Sequence, residues 1–137
     1  MPPRFLSYEG IDDTPGGRIR QARVAKNMTI VDLAKVIKMT PENLGRIENN
    51  TYRTSLQSLR KLSEALGCAV SYLGCFESLP EDTFEQRIQK ARIFRGLTKR
   101  EVAKYLGVHE KTIREWEQGK RKPRGNYLEV LKKLLIN

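Results

Sequence analysis

Residues 18–66 of this chain recur, without a gap, as residues 87–135. The offset is 69 throughout: Arg18 falls on Arg87, Ile19 on Ile88, Ala22 on Ala91 and Arg23 on Arg92. Thr29, Ala34, Lys35 and Glu48 fall on Thr98, Ala103, Lys104 and Glu117, and Leu59, Leu62 and Leu66 on Leu128, Leu131 and Leu135. Two copies of one pattern call for two copies of one small fold, each closing its own core. Length alone, 137 residues, would allow a single ordinary domain. The repeat instead predicts a leader at 1–17, a first unit at 18–74, a linker at 75–83 and a second unit at 84–137.

The second copy shows its local structure most clearly between Gly96 and Pro123. Thr98 is a good N-cap, and Glu101 three residues on completes a capping box. Val102, Ala103 and Leu106 share one helical face, and Gly107 stands where that helix must stop. Val108 can tuck under the turn. A second short helix follows from His109 and Glu110, with Ile113 and Trp116 facing inward. Its other face carries Glu110, Lys111, Arg114, Glu115 and Gln118, and Gly119 closes it before the basic turn of Lys120, Arg121 and Lys122. A helix before this pair holds Phe84, Ile88 and Ala91, and one after it holds Leu128, Leu131, Leu134 and Leu135. The first copy gives the same four, and adds an apolar GCAVSYLG stretch suited to a short fifth helix. At Asn137 the second copy stops where that helix would begin. The expected class is all-α: two tandem units of four to five helices.

Charge then narrows the partner. The formal net charge is +10, which points to a polyanion, nucleic acid first and an anionic membrane surface second. Residues 84–137 carry +9 and residues 18–66 carry +6, while the leader carries −2 and would not seek phosphates. The leader's three prolines, three glycines and lack of periodicity read as flexible. No apolar run reaches the ~20 residues that span a bilayer, and MPPRFLSYEGIDD lacks the pattern of a signal peptide. No membrane partner and a cytoplasmic location are expected. Cys68, Cys75 and His109 are too few for a zinc site, so no metal or other cofactor is expected, and both cysteines read as small apolar fillers. No nucleophile, paired-carboxylate or Gly-rich phosphate arrangement suggests an enzyme. Pro80 marks the linker, whose nine residues reach at most ~30 Å.

The spacing of cap, Ala103, Gly107, Val108, Ile113, Trp116 and the closing Glu117-Gln118-Gly119 resembles the Cro/repressor-type (XRE-type) helix-turn-helix family. The resemblance implies double-stranded DNA as partner, with the third helix of the second unit in the major groove, where base edges offer donors and acceptors. It implies base contacts at Glu110, Lys111, Arg114 and Glu115, and at Pro41, Glu42 and Arg46 in the first unit. These same side chains could instead pair along the surface, Glu110 with Arg114 and Lys111 with Glu115. It implies phosphate contacts from Thr98, Lys99, Gln118, Lys120, Arg121, Lys122 and Arg124, and from Asn49 and Arg53 in the first unit. It also implies partly buried salt bridges Arg23–Glu48 and Arg92–Glu117. His109 falls near an N-cap, where capping or a place beside a phosphate suits it better than pH sensing. Trp116 shares the Ile113 face and reads as core.

The first copy departs from the family pattern. Ile30 and Val31 stand where polar groups are usual, Lys38 replaces the turn glycine, Gly45 interrupts the third helix and Asn50 replaces the closing glycine. The first unit therefore either reads bases or binds protein. The favoured function is a sequence-specific transcriptional regulator, a repressor. An adaptor or antitoxin-like subunit is the alternative, and adhesion to DNA or a membrane surface by charge alone is a third reading. A homodimer held by the first unit, with Tyr72, Leu73 and nearby residues of the fifth helix offering the docking surface, is expected over a one-chain pseudo-dimer, because unequal recognition faces would need an asymmetric site.

Overall fold

The computed structural model describes residues 13–136, so all but the last five residues of the expected leader lie outside it. The described residues form helices and no strand. They divide into two compact units between Glu77 and Ser78. Unit one contains α1 (Pro15–Ala25), α2 (Ile30–Val36), α3 (Pro41–Glu48), α4 (Leu56–Leu66) and α5 (Val70–Leu73), then a 3-10 turn at Phe76–Ser78 that crosses the boundary. Unit two contains α6 (Phe84–Phe94), α7 (Lys99–Leu106), α8 (Glu110–Glu117) and α9 (Asn126–Ile136).

Polar caps set where these helices begin. Thr14, Thr29, Thr40, Ser55, Thr83 and Thr98 each accept a backbone N–H from the first turn of the helix they precede. Their ends are set by left-handed residues, and these too repeat at the offset of the sequence. Asn27, Lys38 and Asn50 have positive φ in unit one, as do Gly96, Gly107 and Gly119 in unit two. The fold demands the same three left-handed turns in each unit, and only unit two meets them with glycine.

Each unit closes a separate apolar core. In unit one Ile19, Leu33, Leu44, Leu59, Leu62 and Leu73 are buried, drawn from all five helices. In unit two Ile88, Val102, Ala103, Ile113, Trp116 and Leu131 are buried, and the Trp116 ring lies 5.7 Å from that of Tyr127. Leu134 and Leu135, expected inward on α9, are outside the residues whose side chains are described.

Three features depart from the sequence reading. The first helix takes in Pro15, Gly16 and Gly17, which composition alone assigns to a flexible leader. Gly16 lies so close to the end of α3 that a Cβ there would collide with the carbonyls of Ile47 and Glu48. Its N–H donates to Asn50 Oδ1 at 2.9 Å, and the Asn50 amide donates to Thr14 at 2.7 Å. Secondly, the start of the expected linker belongs to unit one, where Phe76 packs on the core. Arg18 explains both. Its guanidinium is buried, bonds to Asp13 at 2.7 Å, to the Tyr72 carbonyl at 2.7 Å and to Glu77 at 2.6 Å, and lies over the Tyr72 ring. Burial works against its charge, but the bonds to Asp13 and Glu77 outweigh that and raise its pKa. Thirdly, Leu73 is fully buried and Tyr72 backs Arg18, so neither offers the docking surface read from the sequence.

Candidate nucleic-acid interface

In unit two, one ion pair fixes the helices that carry the candidate contacts. Arg92 Nε donates to Glu117 Oε2 at 2.7 Å and Nη2 to Oε1 at 3.0 Å, while Nη1 reaches the Leu97 carbonyl at 2.8 Å. A single guanidinium thereby ties α6 to the end of α8 and to the strand of chain entering α7. Thr98 and Glu101 close a reciprocal capping box at the start of α7. Gly107, at φ 73°, turns the chain, and the Val108 N–H returns to the Ala103 carbonyl at 2.9 Å. Ile113 and Trp116 seat α8 in the core. His109 occupies the N-cap position, is exposed, and makes no side-chain cap bond.

That seating turns Glu110, Lys111 and Arg114 outward, all exposed, with Glu115 half-buried beside them. Arg114 lies 3.6 Å from Glu110, one turn back. Glu115 faces Arg121 at 3.9 Å rather than Lys111, which corrects the pairing considered from sequence. Lys111 makes no ion pair among the described residues, so its ammonium is open to solvent. Gln118 caps the end of α8, and Gly119 turns the chain so that the Lys120 N–H donates to the Glu115 carbonyl at 2.9 Å. Lys120, Arg121, Lys122 and Arg124 are exposed around Pro123, which is buried and anchors their loop. Thr98 and Lys99 are half-buried at the start of α7. The result is a row of hydrogen-bonding side chains on a rigid helix, flanked by a fixed basic loop.

Unit one keeps the scaffold. Arg23 meets Glu48 at 2.8 and 3.0 Å and the Met28 carbonyl at 2.9 Å, the same three bonds. Thr29 and Asp32 form its capping box, and the bond from the Thr29 N–H lowers the Asp32 pKa. The face differs. Pro41 opens α3 and is half-buried, while Glu42, Arg46, Asn49 and Arg53 are exposed. Gly45 holds the position of Arg114, with the Ile30 side chain beside it. Val31 and Tyr52 hold those of Arg100 and Arg121 and are 57% and 59% exposed.

The residues that sequence reasoning missed are structural. Arg18, Gly16, Thr14 and Asn50 hold α1 against α3 and α5, and the carboxylates that secure Arg18 lie on either side of unit one's core helices. Nothing in the spacing of Asp13, Arg18 and Glu77 pairs them before the chain is folded. Among the described residues, no helix is long and apolar enough to cross a membrane.

Comparison with known proteins agrees with the two-unit geometry. The helix-turn-helix family model matches residues 19–73 and again residues 88–135. Over 73 residues the chain is 34% identical to a Sinorhizobium fredii (strain NBRC 101917 / NGR234) protein named as an uncharacterized HTH-type transcriptional regulator, y4aM. The match covers 53% of this chain and 50% of that relative, so the chain spans about half its length. No solved structure matches.

Proposed function

Because the chain belongs to the helix-turn-helix family, matched twice along its length, we propose that it is a sequence-specific, double-stranded-DNA-binding transcriptional regulator. It reads the major groove with α8. The observation that carries this is the outward row of Glu110, Lys111 and Arg114, exposed on a helix whose opposite face is locked into the core. Lys and Arg can donate to guanine O6 and N7, and a carboxylate can accept from cytosine N4. Lys99, Lys120, Arg121, Lys122 and Arg124 surround this row with cations suited to phosphates on either side of the groove. The relative from Sinorhizobium fredii, named as an HTH-type transcriptional regulator, supports a regulatory role. Repression is the direction we propose, because blocking access to a site asks for no contact beyond the one to DNA.

Selection of bound duplexes from a random DNA pool tests this reading. The full chain is expected to return a defined motif, and Arg114→Ala is expected to relax one position of it. A pool with no sequence preference at moderate salt contradicts the reading and leaves binding by charge alone.

A further inference from the structure

The two units share a scaffold but not a surface. Unit two places cations at Lys99, Arg100, Lys111, Arg114, Lys120, Arg121 and Lys122. At the same places unit one has Ile30, Val31, Glu42, Gly45, Thr51, Tyr52 and Arg53. Of these seven cations one is kept and Lys111 gives way to Glu42, while in the other direction Arg46 stands where unit two has Glu115. Phosphate affinity depends on the number of cations that displace counterions, so this face holds a duplex less well than that of unit two. Part of what replaces the charge is apolar and exposed: Val31 and Tyr52 are more than half accessible, while Ile30 packs against the core of unit one, 3.7 Å from where a Gly45 side chain would begin. Glu42 and Arg46, one turn apart on α3, are both exposed, and neither makes an ion pair among the described residues.

We infer that the helix-turn-helix face of unit one is a protein interface, and that its occupant is the same face of a second copy of this chain. A two-fold contact needs a surface complementary to itself. Two α3 helices laid antiparallel over Gly45 bring Glu42 of each chain within reach of Arg46 of the partner subunit, so both charges are satisfied twice. Gly45 lets the helices approach closely, and Val31 supplies exposed apolar area beside the crossing. The face that reads DNA in unit two thus holds two chains together in unit one, and each dimer presents two α8 helices. This goes beyond the proposed reading of α8: the pairing of unit one is measured without DNA.

Gly45→Arg gives unit one the residue that unit two carries at the same place. Only the Ile30 side chain lies near a new Cβ there, and arginine is the better helix former, so the fold should persist. Sedimentation and light scattering of the full chain at micromolar concentration should give twice the 15.8 kDa chain mass for the parent and one chain mass for the variant, with helical circular dichroism unchanged. On a duplex with two half-sites the variant should lose about 100-fold in affinity, as tethering is lost, and on a single half-site nothing. Glu42→Arg and Arg46→Glu should each give monomers, and the two together should restore the dimer. A parent that is monomeric throughout overturns the inference and leaves the face to a different protein. A dimer that survives all these variants overturns it as well, as does a loss of half-site affinity in Gly45→Arg. Failure of DNA binding in a chain that still dimerises through this face would sink only the α8 reading.

Discussion

Arg92 is bonded on three sides and almost wholly enclosed, with side-chain exposures of 6% for it and 3% for Glu117. Removing either partner leaves a charge in a place that water does not reach. Arg92→Ala or Glu117→Ala is therefore expected to cost unit two ~3–5 kcal/mol, and the double substitution clearly less than their sum. Denaturant unfolding followed by the fluorescence of Trp116, the sole tryptophan, reads unit two alone. Losses that add, each below ~1 kcal/mol, would mark a solvated pair. Arg18 makes a different prediction. Its bonds lower the pKa of Asp13 and of Glu77, so the folded chain releases these protons more readily than the unfolded one. Their contribution is complete above the ordinary carboxylate range, around pH 4, and is lost as the pH falls through the depressed folded values. Hydrogen exchange in α1 should accelerate over that window, and Asp13→Asn with Glu77→Gln should flatten the change. The Arg92 pair was legible through the family resemblance, with Arg23 and Glu48 standing at the same offset in unit one. Arg18 was not, because its match in unit two, Arg87, is exposed and shares none of its partners.

Among the elements, the turn between the first two helices of each motif separates sequence from conformation. Lys38 and Gly107 occupy the same place, at φ 58° and 73°. The fold sets the angle, and the residue only sets its cost. Gly107 has nothing within 4 Å of a new side chain, so Gly107→Ala should destabilise unit two by about 1 kcal/mol through backbone conformation alone. Lys38→Gly should instead stabilise unit one, by about 0.5 kcal/mol once the entropy of the added glycine is deducted. Thermal melts by circular dichroism, read beside Trp116 fluorescence, separate the two units. A Lys38→Gly chain that melts lower would show that Lys38 contributes through contacts. The helices with caps and apolar stripes could be read from the sequence. The start of α1 could not, because Pro15, Gly16 and Gly17 look like a linker until α3 is there to need a residue without a side chain.

For the whole molecule, the ungapped offset of 69 carried the architecture, since it demands the same turns and core positions twice. The candidate site came from the family resemblance, and the cations present in one copy but not the other then set it apart. The division at Glu77 was hidden, as it depends on a carboxylate reaching back to Arg18. On the proposed function, unit two is the reading head, with α8 on bases and its loop on phosphates. Titration of Arg114→Ala and Lys122→Ala against preferred and scrambled duplexes over a range of salt separates these two roles. Arg114→Ala should cost ~1–3 kcal/mol on the preferred duplex and little on the scrambled one. Lys122→Ala should weaken both alike and make the salt slope shallower by about one unit. Two variants that behave identically, or binding to a single half-site that survives both, would contradict α8 and its loop as the reading head.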